Sequence, residues 1–397
     1  MRILITGVST RAIAESACAA GYDVITLDYF GDLDQKRLCQ NYSLKRDFGL
    51  PFGPAQLYRA SRNLEFDALV YISNLENYPD IVERLTAGVR GGGRKQLLGN
   101  SPAVLARVRH WPIVADALRR QGVQTPETIY PGQLSPPILL SPTGGEEAEG
   151  EGHAPRRWLR KPIRSGGGHR ITFWPPARKP GRGYLLQEYI PGLAGSAAFV
   201  ANGRECVVLG ATEQLIGTPE FGAQGFHYCG NILPLSPSRG EGGEEVLAQV
   251  RHISAALTRE FGLVGVNGFD FVLHEERVIP VEVNPRYSAS MELMEWACGL
   301  SIFDLHVRAI TRGELPDVEP GAPQGFYGKA IVYAGEAGRA PDTTGWLERG
   351  IRDVPFPGEA LRQGGPICTV LASAPTREAC FASLVAQAKT LIGEIYA

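Results

Sequence analysis

The sequence predicts an α/β protein, with an N-terminal βαβ parallel-sheet domain followed by an α+β core. Three observations carry that expectation. The chain opens on a short apolar run, "RILIT", then a turn, a helical stretch and a second run, "DVITLD". Strand, helix and strand in that order make the unit of a parallel sheet. From residue 156 onward the pattern changes to short β-type runs separated by turns. The length, 397 residues, calls for two or three domains.

Taken in order, residues 2–6 read as a buried strand, Gly7 to Thr10 as a turn, and "RAIAESACAAGY" as a helix ending near Gly21. "DALVYIS" at 67–73 is another strand, followed by the polar loop "NLENYPD". The first domain is expected to end near residue 100. "AVLARVRHWPIVADALRRQ" reads as helical, broken or restarted at Pro112. The Gly- and Glu-rich stretch "SPTGGEEAEGEGHAP" at 141–155 reads as a mobile surface loop. "RRWLRKPI", "ITFWP", "YLLQEYI", "SAAFVANG" and "ECVVLGATEQL" read as strands, and a helix is expected over about 244–261. A hairpin, a helical pair, two strands in "GKAIVYA" and "ICTVLASA", and a C-terminal helix complete the chain. Divisions at 1–100, 101–185, 186–314 and 315–397 are expected.

The composition excludes several classes. Formal net charge is −2, so no global basic surface points to nucleic acid. Seven scattered cysteines, without a CxxC pair, argue against a disulfide framework or a zinc site. No run reaches the eighteen apolar residues of a membrane span, and the N-terminus lacks the order of a signal peptide, so a cytoplasmic protein is expected. "GVSTRA" holds a single glycine, too few for a dinucleotide fingerprint, although Asp28 ends the second strand where a ribose-binding acid would sit.

Three stretches carry chemistry. In "FDFVLHEERVIPVEVNPR", residues 269–286, Glu282 and Asn284 share one face of a strand, and antiparallel pairing can bring Asp270 beside them. Two carboxylates and an amide oxygen suit Mg²⁺, which takes one or two carboxylates plus phosphate oxygens. Arg286 follows, with a fork of donors for a phosphoryl or carboxylate oxygen. An edge strand whose polar residues face water is the plainer alternative. In "LRKPIRSGGGHRI", Lys161 precedes Ser165, Gly166, Gly167 and Gly168; glycine amides can wrap phosphate oxygens and a lysine supplies a point charge. An ordinary hairpin turn is the alternative, and the run is not a Walker A loop. In "YLLQEYIPG", Gln187, Glu188, Tyr189 and Ile190 end a strand where unpaired backbone groups could meet an adenine ring.

The order Lys-glycine loop, Q-E-Y-I-P-G, then D-F with V-E-V-N-P-R resembles the ATP-grasp superfamily of carboxylate–amine ligases over roughly residues 100–310. The resemblance implies an ATP-grasp fold with a small N-terminal domain and a central pair of nucleotide-binding subdomains. It implies that Asp270, Glu282 and Asn284 bind Mg²⁺, or Mn²⁺ in its place, that Lys161 holds a phosphate of ATP, and that the backbone of Glu188 to Ile190 holds adenine. It implies that Ser165 to His169 close as a lid and that Arg286 stabilises the transferring phosphoryl group. The second nucleotide-contacting lysine of many members has no counterpart here; Arg107 and Arg109 lie in that helix, and Arg109 is the expected substitute.

"GVSTRAIAESA", "LDYFGDLD", "HYCGNILPL" and "GKAIVYA" are similar to a branch of ATP-dependent carboligases related to biotin carboxylase, whose members occur with genes for pterin- and furan-type one-carbon cofactors. The implied activity is ADP-forming amide ligation through an acyl phosphate, with glutamate or a similar amine joined to a methanopterin- or methylofuran-type precursor. A bicarbonate-dependent carboxylase and an ATP-binding module without turnover are the alternatives. The implied partners are a small carboxylate and a small amine, with no nucleic acid or membrane, and a homodimer is the assembly common to such ligases. His227, Cys229 and Lys329 are left as a pocket lining or a core-facing loop, a buried thiol or a nucleophile, and an anion contact or a solvated lysine.

Overall fold

The computed structural model describes residues 1–87, 93–131, 156–164, 166–175, 180–235, 243–321 and 323–397. The loop expected at 141–155 lies outside the described residues, as does Ser165.

The N-terminal unit runs β1 (Ile3–Thr6), α1 (Arg11–Ala19), β2 (Val24–Asp28), α2 (Leu33–Leu38), β3 (Gln40–Ser43), α3 (Pro54–Ser61), β4 (Ala68–Tyr71), α4 (Pro79–Thr86) and β5 (Gln96–Leu97). These strands form one parallel sheet in the order β3-β2-β1-β4-β5. Every residue of β1, β2 and β4 is buried. Such unbroken buried, mainly apolar runs are what a parallel sheet covered on both faces requires. Strand order reverses between β1 and β4, and the loops after those strands meet there. Gly7 permits that meeting, because a Cβ on it would lie 2.5 Å from the Ile72 side chain and 2.8 Å from the Ser73 carbonyl.

Two helices follow, α5 (Pro102–Val108) and α6 (Trp111–Arg120), each with a proline in its first turn. Proline lacks an N–H where the first turn has no acceptor to give it, so Pro112 starts α6 rather than kinking one long helix. A four-stranded sheet, ordered β6-β9-β7-β8, then combines β6 (Thr128–Ile129), β7 (Trp158–Pro162), β8 (Thr172–Phe173) and β9 (Tyr184–Glu188). The division drawn at residue 185 passes through β9, whose pairing from Tyr184 to Glu188 with β7 keeps the whole strand in this sheet.

The largest sheet is antiparallel. It contains β10 (Leu193–Asn202), β11 (Cys206–Ile216), β12 (Tyr228–Leu233), β13 (Val264–His274), β14 (Arg277–Asn284), β15 (Phe326–Tyr333) and, after the short pair β16 (Gly338–Arg339) and β17 (Ala360–Leu361), β18 (Pro366–Ala374). The order is β14-β13-β10-β11-β12-β15-β18. Beyond residue 315, β15 and β18 therefore extend this sheet, while β16 and β17 pair only with each other. Three helices, α7 (Gly243–Phe261), α8 (Met291–Cys298) and α9 (Ile302–Thr311), intervene, and α10 (Arg377–Tyr396) closes the chain. Among the described residues no helix is long and apolar enough to cross a membrane.

A buried charge network ties the N-terminal sheet to the core. Arg11, at the start of α1 and 2% exposed, holds Asp353 through two contacts of 3.0 and 3.2 Å and also pairs with Glu292 of α8. Glu292 in turn pairs with Lys329 of β15.

Candidate active site

The site is built on the β13–β14 hairpin. The strands are joined at Glu275 and Glu276, both left-handed with φ of 47° and 65°, and His274 pairs with Arg277 across them. Regular pairing from that turn would place Asp270 opposite Val281. The register instead shifts between Asp270 and Phe271: Phe271 faces Pro280, while Asp270 faces Glu282. One extra residue on β14, a bulge, thus turns Glu282 to the face of Asp270. Asn284, two residues on, lies opposite Gly268 on the same face.

The two carboxyls are shifted in opposite directions. Asp270 is raised to about 6: burial and then Glu282 push it up, and the Asn284 amide, 3.2 Å from Asp270 Oδ2, opposes them. Gln214 of β11 donates to Asp270 Oδ1 at 2.9 Å. Burial also acts to raise Glu282, but the Arg109 guanidinium and then the Lys161 ammonium outweigh it, and its carboxyl lies below the usual range.

Arg109 follows α5. Its Nη2 donates to Glu282 Oε1 at 2.8 Å, its Nε to Asn77 Oδ1 at 3.0 Å, and its Nη1 to the Val283 carbonyl. Arg107, the other candidate, faces away and reaches Glu260. Lys161 projects from β7 to Gln187 of β9, Nζ to Oε1 2.8 Å. Burial lowers the Lys161 pKa, with Glu282 and Asp270 opposing. Arg286 follows β14; its Nε donates to Glu76 at 2.9 Å, its Nη1 to the Tyr287 carbonyl at 2.9 Å and its Nη2 to Asn284 Oδ1 at 3.2 Å. Arg109, Lys161, Gln187, Asp270, Glu282, Asn284 and Arg286 are therefore one interacting group.

The glycine loop rests against the segment before β12. The Tyr228 N–H donates to the Gly167 carbonyl at 3.1 Å, and the His169 and His227 rings stand 4.6 Å apart. A Cβ on Gly168 would lie 1.7 Å from the Phe226 carbonyl oxygen, and its φ is +72°, so only glycine fits there. Gly166 lies beside Asn74 at the far side of the loop.

Two expectations need correcting. The Glu188 and Tyr189 amides are not open to a ring: they donate to the Glu127 and Arg157 carbonyls, both at 2.8 Å. The backbone leading into β6 and β7 runs on beside the end of β9 and uses those donors. Tyr189 instead packs its ring on Phe173, with Ile190 the next residue before the β9–β10 turn. Lys329 is neither solvated nor open to an anion, being 4% exposed and paired with Glu292. The Cys229 thiol is fully buried, is pushed up by that burial and donates to the Leu215 carbonyl at 3.2 Å, which suits a core position.

Sequence reading missed Glu76, Asn77 and Gln214. The first two sit in the short 3₁₀ turn Leu75–Asn77 after β4, inside a stretch that reads as a polar loop. A polar loop carries no periodic signal that one of its carboxylates is buried. The strand position of Gln214, on the face of its neighbour Thr212, was available from alternation.

The donor set fits a hard divalent cation. Asp270 and Glu282 oppose each other across one register pair and repel, as the raised Asp270 carboxyl records. Among the described residues no group of three or more His, Cys, Asp or Glu is placed to hold a metal ion, so further oxygens must come from a ligand or water. The pH dependence follows. Asp270 is raised above its unfolded value of 3.8, so its folded form is favoured below that value and loses this advantage as pH rises through about 6. A bound cation removes the penalty by stabilising the ionised form. Added MgCl₂ should therefore raise the melting temperature more at pH 7.5 than at pH 5, with the Asp270→Asn variant losing most of the difference. An equal rise at both pH values would detach Asp270 from the cation.

Residues 113–290 match the family model described as the ATP-grasp domain. The chain is 26% identical over 135 residues to the carbamoyl phosphate synthase large chain of Halobacterium salinarum, a match covering 34% of this chain and 12% of that protein. It thus spans a small part of the curated relatives it matches. The fold is similar along 99% of the chain, and 90% of the other, to the biotin carboxylase domain dimer of Hydrogenobacter thermophilus 2-oxoglutarate carboxylase in complex with MgADP, ADP and bicarbonate, with a TM-score of 0.67 and 14% identity. It is similar along 100% of the chain, and 99% of the other, to N5-carboxyaminoimidazole ribonucleotide synthetase from Thermus thermophilus, with a TM-score of 0.65 and 18% identity. The chain has the ATP-grasp fold.

Proposed function

We propose that this ATP-grasp protein is an ADP-forming ligase that joins a small carboxylate to a small amine. The observation that carries the reading is the grouping of Asp270 and Glu282 in one register pair with Arg109, Lys161 and Arg286 around them. Two carboxylates for a divalent cation, with three cationic side chains beside them, suit a triphosphate and its charge.

In the proposed reaction a carboxylate oxygen attacks the γ-phosphorus of ATP. The bond from that phosphorus to the β–γ bridging oxygen breaks, and ADP leaves. The amine nitrogen then attacks the acyl carbon, the bond from that carbon to the phosphate oxygen breaks, and the amine gives up a proton. A divalent cation held by Asp270, Glu282 and Asn284, Mg²⁺ or Mn²⁺, would neutralise phosphate oxygens. Lys161 would place a point charge on a phosphate, and Arg286 would meet the transferring phosphoryl group with its fork. The glycine loop, docked against residues 226–228, would keep water from the acyl phosphate. These residues position and neutralise; they form no covalent bond with the substrate. Adenine would sit near Tyr189 and Ile190, reached without the Glu188 and Tyr189 amides. The finer reading is glutamate, or a similar amine, joined to a one-carbon cofactor precursor, in a cytoplasmic protein acting as a homodimer.

A second reading is a carboxylase that activates bicarbonate. It is favoured by the similarity to a biotin carboxylase domain in complex with bicarbonate. Release of ADP from Mg-ATP, measured with pooled carboxylic acids and pooled amines, separates the readings. ADP that needs both pools supports the ligase. ADP with bicarbonate alone supports the carboxylase. Nucleotide binding with no ADP under any of these conditions, cell-extract small molecules included, would overturn both.

A further inference from the structure

We infer that the short turn after β4, Asn74 to Tyr78, orients both arginines of the site, with Glu76 the positioning residue for Arg286 and Asn77 for Arg109. This rests on the roles proposed above for those arginines and adds what holds them in place.

Neighbouring residues of one turn serve different guanidinium groups. Glu76 Oε1 accepts from Arg286 Nε and lies 2.9 Å from Nη2; Asn77 Oδ1 accepts from Arg109 Nε at 3.0 Å. Glu76 is 1% exposed and the Arg286 side chain 11%, so water screens the pair poorly. Among the described residues the other Glu76 oxygen, Oε2, is buried without a hydrogen-bond partner. Glu76 thus spends its charge on the arginine. That charge has work to do, since Arg286, Arg109 and Lys161 all act on the Glu282 carboxylate and so crowd one small volume.

The turn also meets the loop that follows β7. The Arg164 guanidinium lies 5.2 Å from the centre of the Tyr78 ring, and Gly166 lies beside Asn74, so the glycine loop rests on the same turn. Tyr71, the last residue of β4, donates to the Asn100 and Pro285 carbonyls at 3.1 and 3.2 Å and pins the residue just before Arg286. The N-terminal sheet therefore meets the site at the point where its strand order reverses, and sets the arginines from there.

The test uses the full chain carrying Glu76→Gln, which keeps the shape and removes the charge. Turnover should fall on the order of 10- to 100-fold, the range for a group displaced by about 1 Å, while Mg-ADP affinity stays at the wild-type value. Adding Glu76→Gln to Arg286→Lys should cost nothing more, because the two changes act through one guanidinium. Phenylglyoxal labelling read by mass spectrometry should find Arg286 protected in the wild type and several-fold more reactive in Glu76→Gln. Wild-type turnover, an equal loss in both backgrounds, or unchanged Arg286 labelling would each overturn the inference. Were the wild type to turn over no ATP with any acceptor, the ligase reading would fail while the labelling still decided the positioning. Should Glu76→Gln not fold, Glu76→Asp, which keeps the charge but withdraws it by one methylene, reads the same comparison.

Discussion

Glu282→Gln is expected to abolish cation-dependent nucleotide binding and to lower turnover by roughly 10²- to 10³-fold, the scale on which losing one preorganised charge acts. The substitution is nearly isosteric, and an amide oxygen can still accept from Arg109 Nη2, which lies 2.8 Å from the carboxylate now. The fold should therefore persist. What disappears is one of the two opposed carboxylates, and a hard divalent cation discriminates strongly between a carboxylate and an amide oxygen. The same change has a pH signature. A carboxyl held below its unfolded-state value adds stability above that value and loses it as pH falls through the folded one. Glu282 is such a group, since Arg109 and Lys161 overcome the effect of its burial. The variant should lose that part of the acid dependence and melt somewhat lower at pH 7. Calorimetric titration with ADP, with and without Mg²⁺, decides the matter. A wild-type Mg²⁺ dependence in Glu282→Gln would remove Glu282 from the cation's ligands.

The parts of this site that were legible in the sequence are those written in local pattern. Strands β1, β2 and β4 announce themselves as mainly apolar runs, whereas β3, "QNYS", does not, and the break between α5 and α6 is marked by Pro112. Spacing also placed Glu282 and Asn284 on one face. Antiparallel pairing was also expected to bring Asp270 beside them, and it does so, but through an irregular register. With the turn at Glu275–Glu276, regular pairing sets Asp270 opposite Val281 and sends Glu282 to the other face; the bulge between them reverses the parity. Nothing in the composition of "RVIPVEVN" fixes that extra residue, although Pro280 lacks the N–H that a regular ladder would use.

Long-range pairings were hidden for a different reason. Glu76 and Arg286 are 210 residues apart, and Arg11 and Asp353 are 342 apart. Each looks like a surface residue until the chain has folded. A buried charge is stable only beside its partner, so the partner is what the sequence would have had to supply. Lys329 illustrates the cost of reading one residue at a time: on its strand it looks solvated, yet Glu292 of α8 covers it. The free donors expected at Glu188 and Tyr189 failed likewise, because the carbonyls that take them belong to Glu127 and Arg157, upstream of the strand itself.

Gly168→Ala should cut turnover by about 100-fold or more while leaving nucleotide affinity much less affected, since a misplacement of roughly 1 Å near a reacting group can cost that much. The effect is steric and local. The added Cβ would fall 1.7 Å from the Phe226 carbonyl oxygen, a backbone atom that cannot swing aside. At φ +72° the backbone itself resists any side chain. The glycine loop must then lift from residues 226–228, breaking the bond from the Tyr228 N–H to the Gly167 carbonyl. Lys161 sits on β7 rather than on the loop, so the proposed phosphate contact survives. A loop that cannot settle admits water to the activated acyl group. The variant should therefore release phosphate without forming product, and the ratio of ADP to ligated product should rise well above one. Measuring both products in one assay checks this directly. Slow turnover with the ratio still at one would mean that the loop positions the phosphates and does not exclude water. Full turnover would mean that the docked loop has no part in the reaction.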